Sequence, residues 1–265
     1  MKYLNDAQYE QFQRDGFLVV TEFLTAGELE GVRDDIQGIL DANSRLDADT
    51  GGLNLEKVDG RTFEEDAKVA APGLVRKITP SMTLIPTAGQ IFTSEKMLDC
   101  MEDVMGADIY YHSSKAMLKP ANGGSAKPWH QDAAYWREYG SNQITIWIAI
   151  HDATKENGCV WAIPGTHKLG LIPHIKRELQ VEESRVDLSQ AVPVEVPAGG
   201  MLIFHSLVLH MSHINYSDKP RWAIICDYDC LPNPAIDVGY DSQMPGQRED
   251  RVWPLRQSNR EAAMV

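Results

Sequence analysis

Apolar residues recur at helical spacing through the first hundred positions and fall into short β-like runs after Gly106. Asn5 with Gln8 three residues later forms a capping-box pattern, Ala7, Tyr9 and Phe12 give a short amphipathic helix, and Gly16 stops it. Phe17-Leu18-Val19-Val20 then reads as a strand. Thr25 and Glu28 repeat the capping box, and Leu29, Val32, Ile36, Ile39 and Leu40 carry a second helix to Asp41. A third helix spans Ser94 to Met105, with Met97, Leu98, Met101, Val104 and Met105 on one side. Such one-sided helices are expected to cover the outside of a sheet. From Ala42 to Gly73 the periodicity breaks into polar residues, which reads as a candidate lid or, equally, as a solvated surface insertion.

Beyond Gly106 the spacing predicts strands over Ile109–Lys119, Trp129–Asp132, Gln143–Ile150, Cys159–Ile163, Met201–His205 and Trp222–Tyr228. Runs of this kind make an all-β sandwich or barrel. In Ile144-Thr145-Ile146-Trp147-Ile148-Ala149-Ile150 the isoleucines alternate with Thr145, Trp147 and Ala149. One face of that strand is therefore wholly aliphatic, and the other could line a cavity.

Length and charge narrow the class. A chain of 265 residues suits one large domain, and a net charge of −13 argues against nucleic acid and anionic membrane surfaces as partners. Cys100, Cys159, Cys226 and Cys230 form no Cys-x-x-Cys pair and no dense framework, which suits a reducing cytoplasm. Met1 to Asp6 lacks the apolar core of a signal peptide, and no apolar run is long enough to span a membrane. The reading is a cytoplasmic protein acting on a small molecule.

Candidate chemistry begins at Trp129-His130-Gln131-Asp132. In an extended chain residues two apart share a face, so His130 and Asp132 can converge on one point. None of the other seven histidines has an acid two positions on. A histidine and a carboxylate with one distant histidine make a facial triad typical of non-heme Fe(II) oxygenases. His205, His210 and His213 are all candidates for the third ligand, and spacing does not choose between them. The turn-like Asn215-Tyr216-Ser217-Asp218-Lys219-Pro220 predicts a chain reversal, placing Arg221 near His210 across an antiparallel pair. A guanidinium there suits a dicarboxylate such as 2-oxoglutarate; the plainer reading is a surface arginine.

These segments, with Phe12-Gln13-Arg14-Asp15-Gly16-Phe17-Leu18-Val19, Asn157 to Lys168 and Phe204 through Arg221, resemble the phytanoyl-CoA dioxygenase family of Fe(II)/2-oxoglutarate oxygenases. Arg221 lies eleven residues beyond His210, the spacing found in that family. The resemblance implies a mainly β fold with flanking helices, a double-stranded β-helix (jelly-roll, cupin-like) barrel. It implies His130, Asp132 and His210 as iron ligands. It likewise implies Arg221 and Ser212 on the far carboxylate of 2-oxoglutarate, Trp147 packed beside it, Gln131 close to the site, and Lys115 and Lys77 in regions that contact the cosubstrate. His167 is expected to be structural. Cofactors implied are Fe(II), 2-oxoglutarate and O2, with ascorbate as an in-vitro reductant.

The expected reaction is oxidation, by default hydroxylation, of an unactivated C–H with release of succinate and CO2; desaturation, epoxidation and ring formation use the same chemistry. Asp132 argues against a halogenase, which lacks that carboxylate. A Zn-dependent hydrolase or a non-catalytic metal-binding barrel are readings of another class, and both leave Arg221 unexplained. Tyr135, Trp136, Arg137 and His213 are candidate substrate contacts. Where relatives often carry glycines, this chain has Met211 and His213, which could narrow the cavity. The expected organisation is a single domain over 1–265: helical flank and candidate lid to 106, barrel core 107–230, and a tail from 231.

Overall fold

Which way the strand around Trp147 faces decides the layering, and the computed structural model shows it for residues 1–58, 69–136, 140–175, 180–230 and 253–257. In chain order these form α1 (Asp6–Asp15), β1 (Phe17–Val20), α2 (Ala26–Ala42), β2 (Leu53–Val58), β3 (Val69–Ile78), α3 (Ser81–Leu84), α4 (Pro86–Phe92), α5 (Glu95–Met105), β4 (Ile109–Lys119) and β5 (Lys127–His130). Then come β6 (Ile144–Ala149), β7 (Val160–Ala162), β8 (His174–Ile175), β9 (Gln180–Val181), β10 (Val192–Val194), β11 (Met201–His205), β12 (His210–Ser212), β13 (Arg221–Asp229) and β14 (Trp253–Arg256).

Local chemistry sets the helix ends. Asn5 and Gln8, and Thr25 and Glu28, form reciprocal capping boxes, so orphan amide donors of both first turns are satisfied. Gly16 ends α1 at φ +81°, and a Cβ there would lie 2.3 Å from Nδ1 of His167. Both the left-handed backbone and the close approach require glycine.

Among the described residues, an antiparallel major sheet runs β1-β11-β6-β13-β4-β3-β2, with β14 also pairing β4. A minor sheet runs β10-β7-β12-β5. Ile144, Ile146 and Ile148 of β6, Met201 and Ile203 of β11, and Ile224 and Tyr228 of β13 face the helices and pack with Val32, Ile36, Phe92, Met97 and Met101. Each such fully buried aliphatic contributes roughly 2 kcal/mol relative to exposure. The opposite face, carrying Trp147, Leu202, Phe204, Ala223 and Ile225, meets Val160, Ala162 and Val194 of the minor sheet. The result is an open jelly-roll sandwich of two packed sheets, not a closed barrel. A third cluster, Trp129, Ile163, Val181 and Leu209 with Ile172, Val186 and Leu188, covers the outer side of the minor sheet.

Four expectations change. The polar stretch 42–73, expected as a candidate lid or a surface insertion, contains β2 and the start of β3, which extend the major sheet; its residues 59–68 lie outside the described residues. Helices α3 and α4 are too short for a periodic signal. The strand expected to run to Asp132 ends at His130, and Asp132 opens a 3-10 turn. Finally, β12 and β13 are not paired: β12 pairs with β5 and β7, while β13 lies between β4 and β6 in the other sheet. The turn before Arg221 therefore carries the chain from one sheet to the other. Among the described residues no helix is long and apolar enough to cross a membrane.

His205 closes β11 with Nδ1 accepting from the amide of Leu207 at 3.1 Å, and burial, with His167 facing it, pulls its pKa down to about 4. An unfolded imidazole titrates near 6.5. As pH falls from about 6.5 toward 4, the unfolded chain takes up a proton that the fold excludes, so stability drops and the loss is complete below that range. We expect His205 to account for roughly 2 kcal/mol of destabilisation between pH 7 and pH 5. Denaturant unfolding of wild type and His205→Gln at both pH values measures it, and an identical pH dependence in the two proteins would refute the assignment.

Candidate metal centre

His130 ends β5 and is the direct cross-strand partner of His210 at the start of β12. Gln131 stays extended (φ −117°, ψ 132°), so Asp132, although already in the 3-10 turn, returns to the face of His130. Ligand atoms of the three residues lie within 4.8 Å of one another, and all three side chains are buried. The two imidazole rings are 4.1 Å apart by centroid. Oδ1 of Asp132 sits 3.5 Å from Nε2 of His130 and 3.7 Å from Nε2 of His210. Each ring turns its other nitrogen to a backbone carbonyl: Nδ1 of His130 to Pro128 at 2.8 Å, and Nδ1 of His210 to Val208 at 3.0 Å. A carbonyl only accepts, so each Nδ1 carries the proton and each Nε2 offers a lone pair inward.

Burial, followed by the charge of His210, pushes His130 down to about 3, so its ring is neutral and ready to ligate at physiological pH. Burial alone would raise the Asp132 carboxyl; His210, His130 and Lys115 outweigh it and hold the group ionised, well below the usual range. Two imidazoles and one carboxylate on one side of a point are the donor set of a facial triad.

Behind Asp132 lies a polar run inside the sandwich. Oγ1 of Thr145 is 3.1 Å from Oδ2 of Asp132 and 2.9 Å from Oδ1 of Asp227. Asp227 is fully buried and accepts from Oγ of Ser113 at 2.6 Å and Nζ of Lys115 at 3.4 Å. Burial works against the Lys115 ammonium, and the carboxylates of Asp227 and Asp132 outweigh it and raise its pKa.

At the other end of the inner face stands Arg221, 3 % exposed, with its guanidinium 5.2 Å from the ring centre of Trp147. Nη2 donates to the carbonyl of Gly158 at 3.1 Å, and Nε has no partner among the described residues. Gly158 reaches this position at φ +81°, where a Cβ would meet the carbonyl oxygen of His213 at 2.5 Å. Lys119 is the cross-strand partner of Arg221, buried beside it, and donates to Oγ of Ser212 at 3.1 Å and to the carbonyl of His213. Among the described residues no carboxylate lies within ion-pair distance of either cation, and Glu56 acts on Lys119 only from farther away. Burial pulls Arg221 down to about 10, and burial with the neighbouring guanidinium lowers Lys119 well below its usual value. Two buried cations without an acid are costly unless an anionic ligand completes them, and a dicarboxylate fits that requirement.

Other expected site residues divide. Tyr135 stands edge-on to His130 with ring centroids 6.0 Å apart and accepts from Lys127 at 2.5 Å. Trp136 is buried against His112, with Lys115 over its ring at 5.5 Å. Arg137 lies outside the described residues. Lys77 pairs with Met117 across β3 and β4, so it shares the inner face, and Lys115 spends its ammonium on Asp227. Gln131 is next to the site but faces away from it. Its amide donates to the carbonyls of Gly170 and Leu207 and accepts from Ile172, so it staples two loops and has no group left for cosubstrate. Met211 and His213 also correct the sequence reading. With Ser212 turned inward, its neighbours face out; Met211 joins the outer cluster, and His213 is exposed against Trp161 at 5.7 Å. They therefore do not narrow the cavity, and His213→Ala is expected to keep turnover within about twofold of wild type. A tenfold fall in kcat with iron and cosubstrate saturating would return His213 to the site.

Lys119, Thr145 and Asp227 were missed. Asp227 left a trace in the sequence, an acid directly after the apolar run Trp222-Ala223-Ile224-Ile225-Cys226. Thr145 left a weaker one as the single hydroxyl among isoleucines, and Lys119 left none until strand pairing set it opposite Arg221.

The chain resembles known proteins in both sequence and fold. It matches the family described as phytanoyl-CoA dioxygenase (PhyH) over residues 12–223. It is 30 % identical over 231 residues to the methylphosphonate hydroxylase of Gimesia maris, covering 86 % of this chain and 82 % of the relative. It is 26 % identical over 257 residues to the ectoine dioxygenase of Halomonas elongata, covering 88 % and 72 %. In three dimensions it resembles the crystal structure of EctD from S. alaskensis with 2-oxoglutarate and 5-hydroxyectoine, with a TM-score of 0.69 at 21 % identity over 88 % of this chain and 78 % of that one. Sequence match, jelly-roll sandwich and donor set agree, and the chain belongs to the phytanoyl-CoA dioxygenase family of Fe(II)- and 2-oxoglutarate-dependent dioxygenases.

Proposed function

We propose that this dioxygenase hydroxylates an unactivated C–H of a small polar metabolite, with His130, Asp132 and His210 holding the iron and Arg221 anchoring the cosubstrate. The observation that carries the reading is a histidine–aspartate–histidine cluster on the minor sheet facing, across the sandwich, a buried guanidinium of the major sheet that has no acid partner among the described residues. When bound, iron with 2-oxoglutarate and O2 supplies a two-electron oxidation that leaves succinate, CO2 and an oxygenated product. The chain's own part is to bind, orient and keep water out.

His130 and His210 present Nε2 because Pro128 and Val208 hold their Nδ1 protons. Arg221 and Lys119 would hold the far carboxylate of the cosubstrate, with Ser212, which accepts from Lys119 at 3.1 Å, beside them and Trp147 as the wall under the guanidinium. Tyr135, edge-on to His130, and Trp136 stand where a substrate would approach and limit access of water. The relatives' names, a methylphosphonate hydroxylase and an ectoine dioxygenase, support a small polar substrate. A Zn-dependent hydrolase has no use for the Arg221–Lys119 pair.

The test is succinate formation from 2-oxoglutarate, with Fe(II) and 18O2, across a panel of phosphonates, amino acids and cyclic amino-acid derivatives. Stimulated succinate release with one 18O in the product is the expected result. Product that gains no 18O, or a desaturated product throughout, would overturn the hydroxylase reading.

A further inference from the structure

We infer that Thr145 is a positioning residue that keeps Asp132 a one-oxygen ligand, and that Asp227 decides where the single proton of Thr145 points. The inference rests on the reading that His130, Asp132 and His210 hold the metal. The two oxygens of Asp132 have different surroundings. Oδ1 faces both imidazoles, at 3.5 and 3.7 Å, whereas Oδ2 is turned back into the sheet, 3.1 Å from Oγ1 of Thr145. An octahedral ion bound by two imidazoles and one carboxylate oxygen keeps three open positions, enough for a chelating keto acid and O2. If Asp132 chelated with both oxygens, one of those positions would be lost. The hydroxyl of Thr145 occupies Oδ2 and prevents this.

Thr145 carries one proton and stands between two buried carboxylates, so it can donate to only one of them at a time. Asp227, at 2.9 Å, competes with Asp132 for that proton. The competition is one-sided in its other contacts: Ser113 and Lys115 both donate to Oδ2 of Asp227, leaving only Oδ1 toward Thr145. An asparagine at 227 would therefore keep its oxygen toward Ser113 and Lys115 and place its NH2 toward Thr145. That amide would donate to Oγ1, and the hydroxyl proton would be committed to Asp132.

Opposite signs follow for two near-isosteric changes. Thr145→Val should weaken Fe(II) binding roughly 10- to 100-fold, the range for groups that orient a metal ligand, while leaving the KM for 2-oxoglutarate within about threefold at saturating iron. Thr145→Ser should restore iron affinity. Asp227→Asn should bind Fe(II) at least as tightly as wild type. Anaerobic Fe(II) titration, followed by the visible absorption band of the iron–2-oxoglutarate complex, reads affinity without turnover, and melting of the metal-free proteins checks the fold. If Thr145→Val melts far below wild type, the Ser and Asn variants decide alone. Equal weakening in Thr145→Val and Asp227→Asn, or unchanged affinity in Thr145→Val, overturns the inference. Failure of the ligand assignment looks different, because His210→Ala would then keep the band.

Discussion

Replacing His210 with alanine is expected to reduce succinate formation to background and to remove the absorption band that Fe(II) and 2-oxoglutarate give anaerobically. Among the described residues the ring makes no hydrogen bond beyond Nδ1 to the carbonyl of Val208 at 3.0 Å, so its loss removes a ligand at little structural cost. The remaining pair, His130 and Asp132, supplies two donors where three close one face of the ion. His130→Ala should behave alike, because the two imidazoles are cross-strand partners with equivalent tethers. A comparison with His205→Ala makes the test specific. His205 accepts from the amide of Leu207 and faces His167, well away from the cluster, and its loss should cost stability rather than turnover. Retention of the same band in His210→Ala would sink the metal assignment and with it the oxygenase site.

The second large effect is expected at Arg221. Arg221→Ala should raise the KM for 2-oxoglutarate on the order of 10²- to 10³-fold, the loss typical when one partner of a buried charge pair is removed. Iron affinity measured without cosubstrate should be unchanged, since Arg221 touches Gly158 and Trp147 and none of the three ligands. Stability separates a binding role from a structural one. In the metal-free protein Arg221 and Lys119 are like charges buried side by side, so removing one is expected to leave the melting temperature the same or raise it. In wild type 2-oxoglutarate should raise that temperature in the presence of Fe(II), and in Arg221→Ala the rise should vanish. An unfolded or strongly destabilised variant, or one that keeps a normal KM, contradicts the role given to the guanidinium. Arg221→Lys keeps the charge without the planar fork and should fall between the two.

Much of the architecture can be read from local pattern because its causes are local. Capping boxes at Asn5 and Thr25 need only four residues each, and both helices begin there. The alternation of isoleucine with Thr145, Trp147 and Ala149 anticipates one face under helices and one toward the cavity, as the two core clusters show. The pairing of His130 with Asp132 is also local: one extended residue between them suffices, even though Asp132 has left the strand. Gln131 is the instructive exception within that motif, since alternation turns it outward and its amide then serves two loops.

What the sequence determined by itself is therefore the class of protein, a β-rich sandwich with helices on one side and a histidine–carboxylate pair able to hold a metal. Family resemblance singled out His210 among three nearby histidines; strand pairing explains why, for it alone meets His130 across β5 and β12 with its side chain turned inward. Tertiary structure decided that Arg221 crosses to the other sheet, that Lys119 stands beside it, and that Met211 and His213 face out. The physical reason is that a turn shows where a chain reverses but not which strand it joins. Partner choice depends on burying an inner face against residues a hundred positions away.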